Sequence, residues 1–431
     1  MKLNYKRTFF VGLAFMSICA FWEMYDNVVP KMLERNFGLK ETATGVVMAL
    51  DNILALFLLP LIGALSDRVD TRFGRRIPFI VGGTALASVF IITMPIAGQM
   101  GNLILFLTAL GIVLVAMGLY RSPAVALMPD ITPKPLRSKA NAIINLMGTL
   151  GGAYTLVVIK TLYTEAGDSS NLPVFLAVVA LMVGAVVLLT LTIKERKLSL
   201  YYRQEDKEQK AAAKEKTSEG MEQRELKMPK EVRKSFLFIM SSIFLWFFAY
   251  NAVKSAFSRY ATHVWGLQEG KFADPLMIAL IAAIISYIPI GFLSTKLGRK
   301  KVIIGGILLM SISYFIGFQI TSYSFFVNVI FAFTGIGWAA INVNSYPMVV
   351  EMCKGADTGK YTGYYYTFSM ASQAITPIVS GYLLEHVSYR TLFPYAVIFS
   401  LASLCTMLFV KHGDSKPEKK TKLLENYDTE D

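Results

Sequence analysis

Charge is scarce in this sequence. Asp, Glu, Lys and Arg make up 17% of its 431 residues, against roughly a quarter in a soluble domain. That shortfall excludes an ordinary water-soluble core wrapped in a charged shell. Cysteine is scarcer still: Cys19, Cys353 and Cys405 are scattered without ligand spacing, which excludes a disulfide framework and a structural zinc site. The three histidines, His263, His386 and His412, lie far apart. No nucleophile motif or phosphate-binding loop accompanies them, so an enzyme, a metal site and an organic cofactor are not expected. Lys and Arg outnumber Asp and Glu by 43 to 30, a net charge of +13. These basic residues fall in short clusters between apolar blocks, so a nucleic-acid partner is not expected either.

Apolar residues are what the sequence has in quantity, 54% of the total. They come in blocks of about 20, the length that crosses a hydrocarbon core as a helix. Continuous runs exclude the alternating pattern of a transmembrane barrel. The fold expected is an all-α membrane protein. Its helices are predicted near 8–31, 42–65, 77–97, 102–129, 138–160, 172–193, 235–259, 275–294, 302–320, 323–349, 361–384 and 389–410. The basic N-terminus precedes an apolar stretch holding Glu23 and Asp26 without a small-residue cleavage site, so it reads as a retained first helix. Residues 1–193 form a first six-helix bundle, 194–234 a charged linker, 235–410 a second six-helix bundle and 411–431 a tail.

One set of loops carries Lys2, Lys6 and Arg7, then Arg68, Arg72, Arg75 and Arg76, then Lys134, Arg137 and Lys139, then Lys296, Arg299, Lys300 and Lys301, then Lys354 and Lys360. The opposite loops, at 98–102 and 320–324, are uncharged. By the positive-inside rule the basic side is cytoplasmic, with both termini there, in the cell membrane. An internal repeat supports two related halves. Gly38-Leu39 recurs as Gly266-Leu267 (266 − 38 = 228). At the same offset, Gly63-x-x-x-Asp67-Arg68 … Gly74-Arg75-Arg76 is echoed by Gly291-x-x-x-Thr295-Lys296-Leu297-Gly298-Arg299-Lys300. Parallel six-helix halves of this kind bind substrate between them and rock to alternate access.

These two loop motifs resemble the signature of the major facilitator superfamily. The run Ser66-Asp67-Arg68-x-x-x-Arg72-Phe73-Gly74-Arg75-Arg76-x-Pro78-Phe79-Ile80 resembles the plant sucrose/proton symporters and their bacterial relatives, of the glycoside–pentoside–hexuronide:cation symporter type. Pro123-Ala124-x-Ala126-Leu127-Met128-Pro129-Asp130, with Ala140-Asn141-Ala142 after it, resembles their fourth helix. There are departures. Leu114 and Val125 stand where sucrose symporters carry an Asp and an Arg, and Arg121 lies one turn before Ala124. The aspartate pair that melibiose-type symporters carry on the second helix is not reproduced; Asp51 stands alone on that helix, about two turns from where the pair would precede Pro60. The resemblance implies that Asp67, Arg68, Arg75 and Arg76, with Asp130 and Glu351, latch the cytoplasmic helix ends in the outward-facing state.

A charge within a membrane helix costs roughly 2.5–3.5 kcal/mol on insertion scales, so each demands a partner, water or a function. At 1.5 Å per residue, Glu23, Asp26, Asp51 and Lys254 lie roughly 5–9 Å from the midplane on the outer side, and Arg121 roughly 7 Å on the inner side. Glu23 and Asp26, three apart, share a helical face. With Asp51 they are the candidates for proton coupling, and with Asn27 or Asn52 they could instead ligate sodium. Lys254 occupies the repeat position of Asp26. The two would pair either as a gate that parts when the outer side opens or as a permanent structural bridge. Trp22, Tyr25, Trp246 and Tyr250 supply aromatic faces; Arg121, Lys254, Asn342, Asn344, Tyr346 and Gln373 supply polar groups. Together they suit a hydroxyl-rich substrate.

The expected function is proton-coupled symport of a sugar, a glucoside or disaccharide such as sucrose or maltose, by a monomer in the lipid bilayer. An exporter or antiporter of another polar metabolite, or a transporter-like sensor, are the alternatives.

Overall fold

A computed structural model describes residues 4–69, 71–132, 137–164, 171–198, 230–268, 270–352 and 358–414. Most of the expected linker (199–229), most of the tail (415–431) and the Asp67 side chain lie outside the described residues. The described residues form twelve long helices: α1 (Tyr5–Phe37), α2 (Glu41–Arg68), α3 (Ile77–Gln99), α4 (Leu103–Asp130), α5 (Arg137–Leu162), α6 (Leu172–Thr192), α7 (Lys230–Trp265), α8 (Ala273–Leu297), α9 (Arg299–Gln319), α10 (Phe325–Glu351), α11 (Thr358–His386) and α12 (Leu392–Leu408). Among the described residues, eleven helical spans are long and apolar enough to cross a membrane. α11 is long enough, but its tyrosines, serines and threonines keep it below that threshold.

Two helices outrun their predicted lengths for the same reason. Hydropathy falls at Lys31, Glu34 and Arg35 in α1 and at Arg259 and His263 in α7, yet both helices continue because these charges find partners. Each then stops at a glycine in the left-handed region, Gly38 (φ 64°) and Gly266 (φ 66°). The amide of Gly38 donates to the Glu34 carbonyl and that of Leu39 to the Leu33 carbonyl. Gly266 and Leu267 repeat the pattern on Thr262 and Ala261. This double bond is the Schellman stop, which favours glycine because a Cβ is strained there. The repeat is therefore structural as well as sequential.

Within the first half, α1 packs along α5 and α6, and α3 along α4 and α6. Within the second, α10 packs along α8 and α9, and α12 along α7 and α9. Between halves, α2 lies against α11, α5 against α8, and α1 against α7. The two carboxylates that follow the last helix of each half tie back onto the loop motif. Glu195 accepts from the backbone amides of Arg75, Arg76 and Ile77 at 2.9–3.0 Å. Asp414 accepts from the amide of Arg299 at 2.7 Å. Each satisfies orphan donors at a helix N-terminus. Glu195→Ala is expected to lower stability by about 1–2 kcal/mol, the loss of a strong cap, read as a drop in melting temperature of the detergent-solubilised protein.

Candidate functional site

The site lies where α1 and α7 face one another. Lys254 Nζ sits 2.8 Å from Asp26 Oδ2 and 3.8 Å from Glu23 Oε2, bridging the halves. The helical spacing of Glu23, Asp26 and Asn27 is matched in α7 by Asn251, Lys254 and Ser255, each 228 positions on. Two equivalent triads thus meet across the interface, acidic on one side and basic on the other. Asn27 Nδ2 donates to Glu23 Oε1 at 3.1 Å and to the Glu23 carbonyl at 2.9 Å. Asn27 Oδ1, Asn251 Nδ2, Ser255 Oγ and Trp22 Nε1 are buried without a hydrogen-bond partner among the described residues. Four such atoms around one ion pair are costly unless something polar completes them.

Asp51, on α2, accepts from Asn52 Nδ2 at 2.7 Å and has no ion-pair partner among the described residues. The Arg121 guanidinium stands 5.8 Å over the Trp22 ring, within Coulombic reach of Asp51 and, across the interface, of Tyr366. Three carboxylates, Glu23, Asp26 and Asp51, therefore face two cations, Lys254 and Arg121, a formal charge of −1.

The aromatic and amide candidates separate into two groups. Tyr250 stacks on Trp338, with ring centroids 3.7 Å apart and planes 3° off parallel. Tyr346 is exposed and packs on Tyr365 and Tyr366, and Asn342 is exposed. In contrast Tyr25 is buried and donates to the Met48 carbonyl at 3.3 Å, between α1 and α2. Trp246 is buried, and the amide N–H groups of Asn344 and Gln373 are turned back onto their own helices, to Ala340 and Ser369.

Beyond the central pair, toward the end of the molecule away from residues 4 and 414, the halves are bound together by polar contacts. Arg259 of α7 reaches into α2, donating to both carboxylate oxygens of Glu41 at 2.8–2.9 Å. Arg259 and Glu41 are only 4% and 5% exposed. Tyr389 donates to the same carboxylate at 2.8 Å. Lys31, the repeat mate of Arg259, donates to Thr262 Oγ1 at 2.6 Å and lies 4.4 Å over the Phe272 ring. Glu34 meets His263 at 2.6 Å, Lys160 meets Asp274 at 2.6 Å, and Glu385 accepts from the Thr42 amide at 2.9 Å. This distal end is closed.

At the other end the residues expected to latch the helices make contacts inside one half. Arg76 Nε donates to Asp130 at 2.9 Å and its Nη1 to Ser66. Arg75 contributes its backbone amide to Glu195, Arg68 is exposed, and Glu351 pairs with Arg299. Sequence reasoning passed over Asn251, Glu41, Arg259 and Glu195. The 228-residue offset was a sufficient signal for Asn251, since it maps onto Glu23. Nothing local marks Glu41 or Glu195, whose partners are 218 and about 120 positions away.

The Major Facilitator Superfamily description matches residues 11–286 and 266–426. A probable nitrate transporter of Staphylococcus carnosus is 25% identical over 46% of this chain and 48% of its own length. A sucrose transport protein of Arabidopsis thaliana is 26% identical over 28% of each chain. A human proton-associated sugar transporter is 33% identical over 30% of this chain and 19% of its own. The chain thus spans about half, or less, of the length of these relatives. Among solved structures, a peptide transporter in complex with sulfate superposes with a TM-score of 0.71 at 13% identity, covering 96% of this chain and 97% of that one, a likeness of fold.

Proposed function

The chain belongs to the Major Facilitator Superfamily, a family of multi-pass membrane transporters rather than enzymes, and from that premise we propose that it is a cation-coupled sugar symporter of the glycoside–pentoside–hexuronide type. The observation that carries the reading is the pairing of Lys254 with Asp26 and Glu23 across the halves, in a centre whose three carboxylates outnumber its two cations. While the distal end is closed, Lys254 serves as counter-cation to the α1 acids. Opening that end moves α7 from α1 and leaves the acids to an external proton or sodium ion. The carriage of one cation offsets the formal charge of the centre, so the loaded carrier turns more readily than the empty one.

By the positive-inside rule the terminus-bearing end, with its loop clusters of Lys and Arg, is read as cytoplasmic. The closed end is then the outer one, and the conformation is inward-facing. A sugar hydroxyl supplied to Trp22 Nε1, Asn251 Nδ2 and Ser255 Oγ would satisfy the unpaired groups beside the ion pair. The partial matches to sucrose and proton-associated sugar transporters support that substrate class.

The test is uptake of labelled sucrose, maltose and related glycosides into proteoliposomes under an imposed inward proton gradient, then a sodium gradient. Gradient-driven accumulation is expected, falling to simple equilibration in Asp26→Asn and Asp51→Asn. No glycoside accumulation under either gradient, from folded protein, overturns the reading. A second reading, movement of another polar metabolite such as an anion, is favoured by Arg121 and by the nitrate-transporter relative. Labelled nitrate in the same vesicles separates the two.

A further inference from the structure

His263 closes the last turn of α7 and contacts the first half at the rim of the closed end. Its Nε2 lies 2.6 Å from Glu34 Oε1 of α1, and its ring stacks on Tyr389 at 4.3 Å and 25°. The pair is part-exposed, 40% for His263 and 31% for Glu34, so solvent on that side reaches it. Other charged groups surround it. Lys31 of α1 bonds Thr262, and Arg259 of α7 and Tyr389 are both committed to Glu41 of α2. Glu41 is thus already satisfied by two donors, and Glu34 is the carboxylate left facing the imidazole.

We propose that His263 and Glu34 form a proton-sensitive clasp at the distal rim, separate from the central acids, which tightens when solvent on that side is acidic. The reasoning is one of linkage. The two residues sit on different halves, so their contact exists only while this end is closed. Protonated histidine makes a charge-assisted bond to a carboxylate, stronger than the neutral one. The closed conformer therefore binds this proton more tightly than the open one, and acid favours closure. The benefit is full below the ordinary histidine range near 6.5 and is lost as pH rises through the histidine's titration in the closed state. For a part-exposed pair the closed-to-open ratio is expected to change about two- to fivefold. The inference rests on the proposed opening of this end, and not on the substrate.

The test uses full-length protein in lipid nanodiscs without substrate, with Cys19, Cys353 and Cys405 replaced by serine. Spin labels at Lys40→Cys and Lys271→Cys, exposed on opposite halves at this end, report the separation between pH 5 and 8. The short-distance population is expected to rise at acid pH, to lose that rise in both His263→Gln and Glu34→Gln, and to stay high across the range in His263→Arg. A distance distribution indifferent to pH overturns the clasp. So does a response that survives both substitutions, which would assign the effect to the central acids. Labelled-glycoside uptake plays no part in the readout, so failure of the sugar assignment leaves this test intact.

Discussion

Gly45→Trp is expected to hold the molecule open at the end that is closed here. Gly45 lies in the second turn of α2, pressed against α11. A Cβ added there falls against the carbonyl oxygen of Pro377 and 3.3 Å from the Ile378 Cα. The obstacle is backbone, which cannot rotate aside as a side chain would. Four residues earlier on α2 the fit is as close, since a Cβ on Gly381 would lie 2.5 Å from the Glu41 carbonyl oxygen. Overpacking a contact of this kind costs about 3 kcal/mol, and the cost falls only on the conformer in which α2 and α11 touch. The open-to-closed ratio should rise roughly a hundredfold. The readout is alkylation of an Asn27→Cys reporter from the distal side, expected to accelerate by at least about tenfold, together with loss of gradient-driven transport. Unchanged reactivity in a folded protein would show that the α2–α11 contact does not hold this end shut.

Arg259→Ala should have an effect of similar size by a different route. It strips the Glu41 carboxylate of both guanidinium bonds in a nearly dry position, leaving Tyr389 as its one remaining partner among those described. Removing one member of a buried ion pair costs about 3–5 kcal/mol, largely because the survivor stays charged and unpaired. Glu41→Ala leaves Arg259 with its bond to the Ser255 carbonyl. The double variant Arg259→Ala/Glu41→Ala should be less disturbed than the sum of the singles, because it leaves no stranded charge. A thermodynamic cycle on the spin-label populations described for the rim measures that coupling directly. Additive effects would mean that the pair does not act as a unit.

The sequence displays the skeleton of this protein plainly and its cross-links poorly. Each of the twelve predicted helices corresponds to an observed one, because a 20-residue apolar run has few ways to satisfy its backbone in lipid. Errors collect at helix ends: the predicted helices stop at Lys31 and Arg259, and Glu34 and His263 beyond them look like loop residues to a hydropathy reading. Their stability inside helices depends on partners from the other half, which no local window contains. The central ion pair was legible for a special reason: Lys254 occupies the repeat position of Asp26, 228 residues on. Tyr25, Trp246 and Asn344 illustrate the converse. Their residue types suit a sugar site, but helical phase turns Tyr25 toward α2, buries Trp246 and turns the amide N–H of Asn344 onto its own helix.

The formal −1 of the central cluster has an electrical consequence. In the proposed symport cycle, one proton or sodium ion joining Glu23, Asp26, Asp51, Lys254 and Arg121 would let the loaded carrier cross with no net charge in its core. The voltage then acts on the return stroke, in which the empty carrier brings its unbalanced negative charge back. An inside-negative potential of 100 mV contributes about 2.3 kcal/mol per charge traversing the full field. It is spent pushing the empty site outward, so polarisation should accelerate the resetting of the carrier and leave the inward delivery of cargo voltage-indifferent.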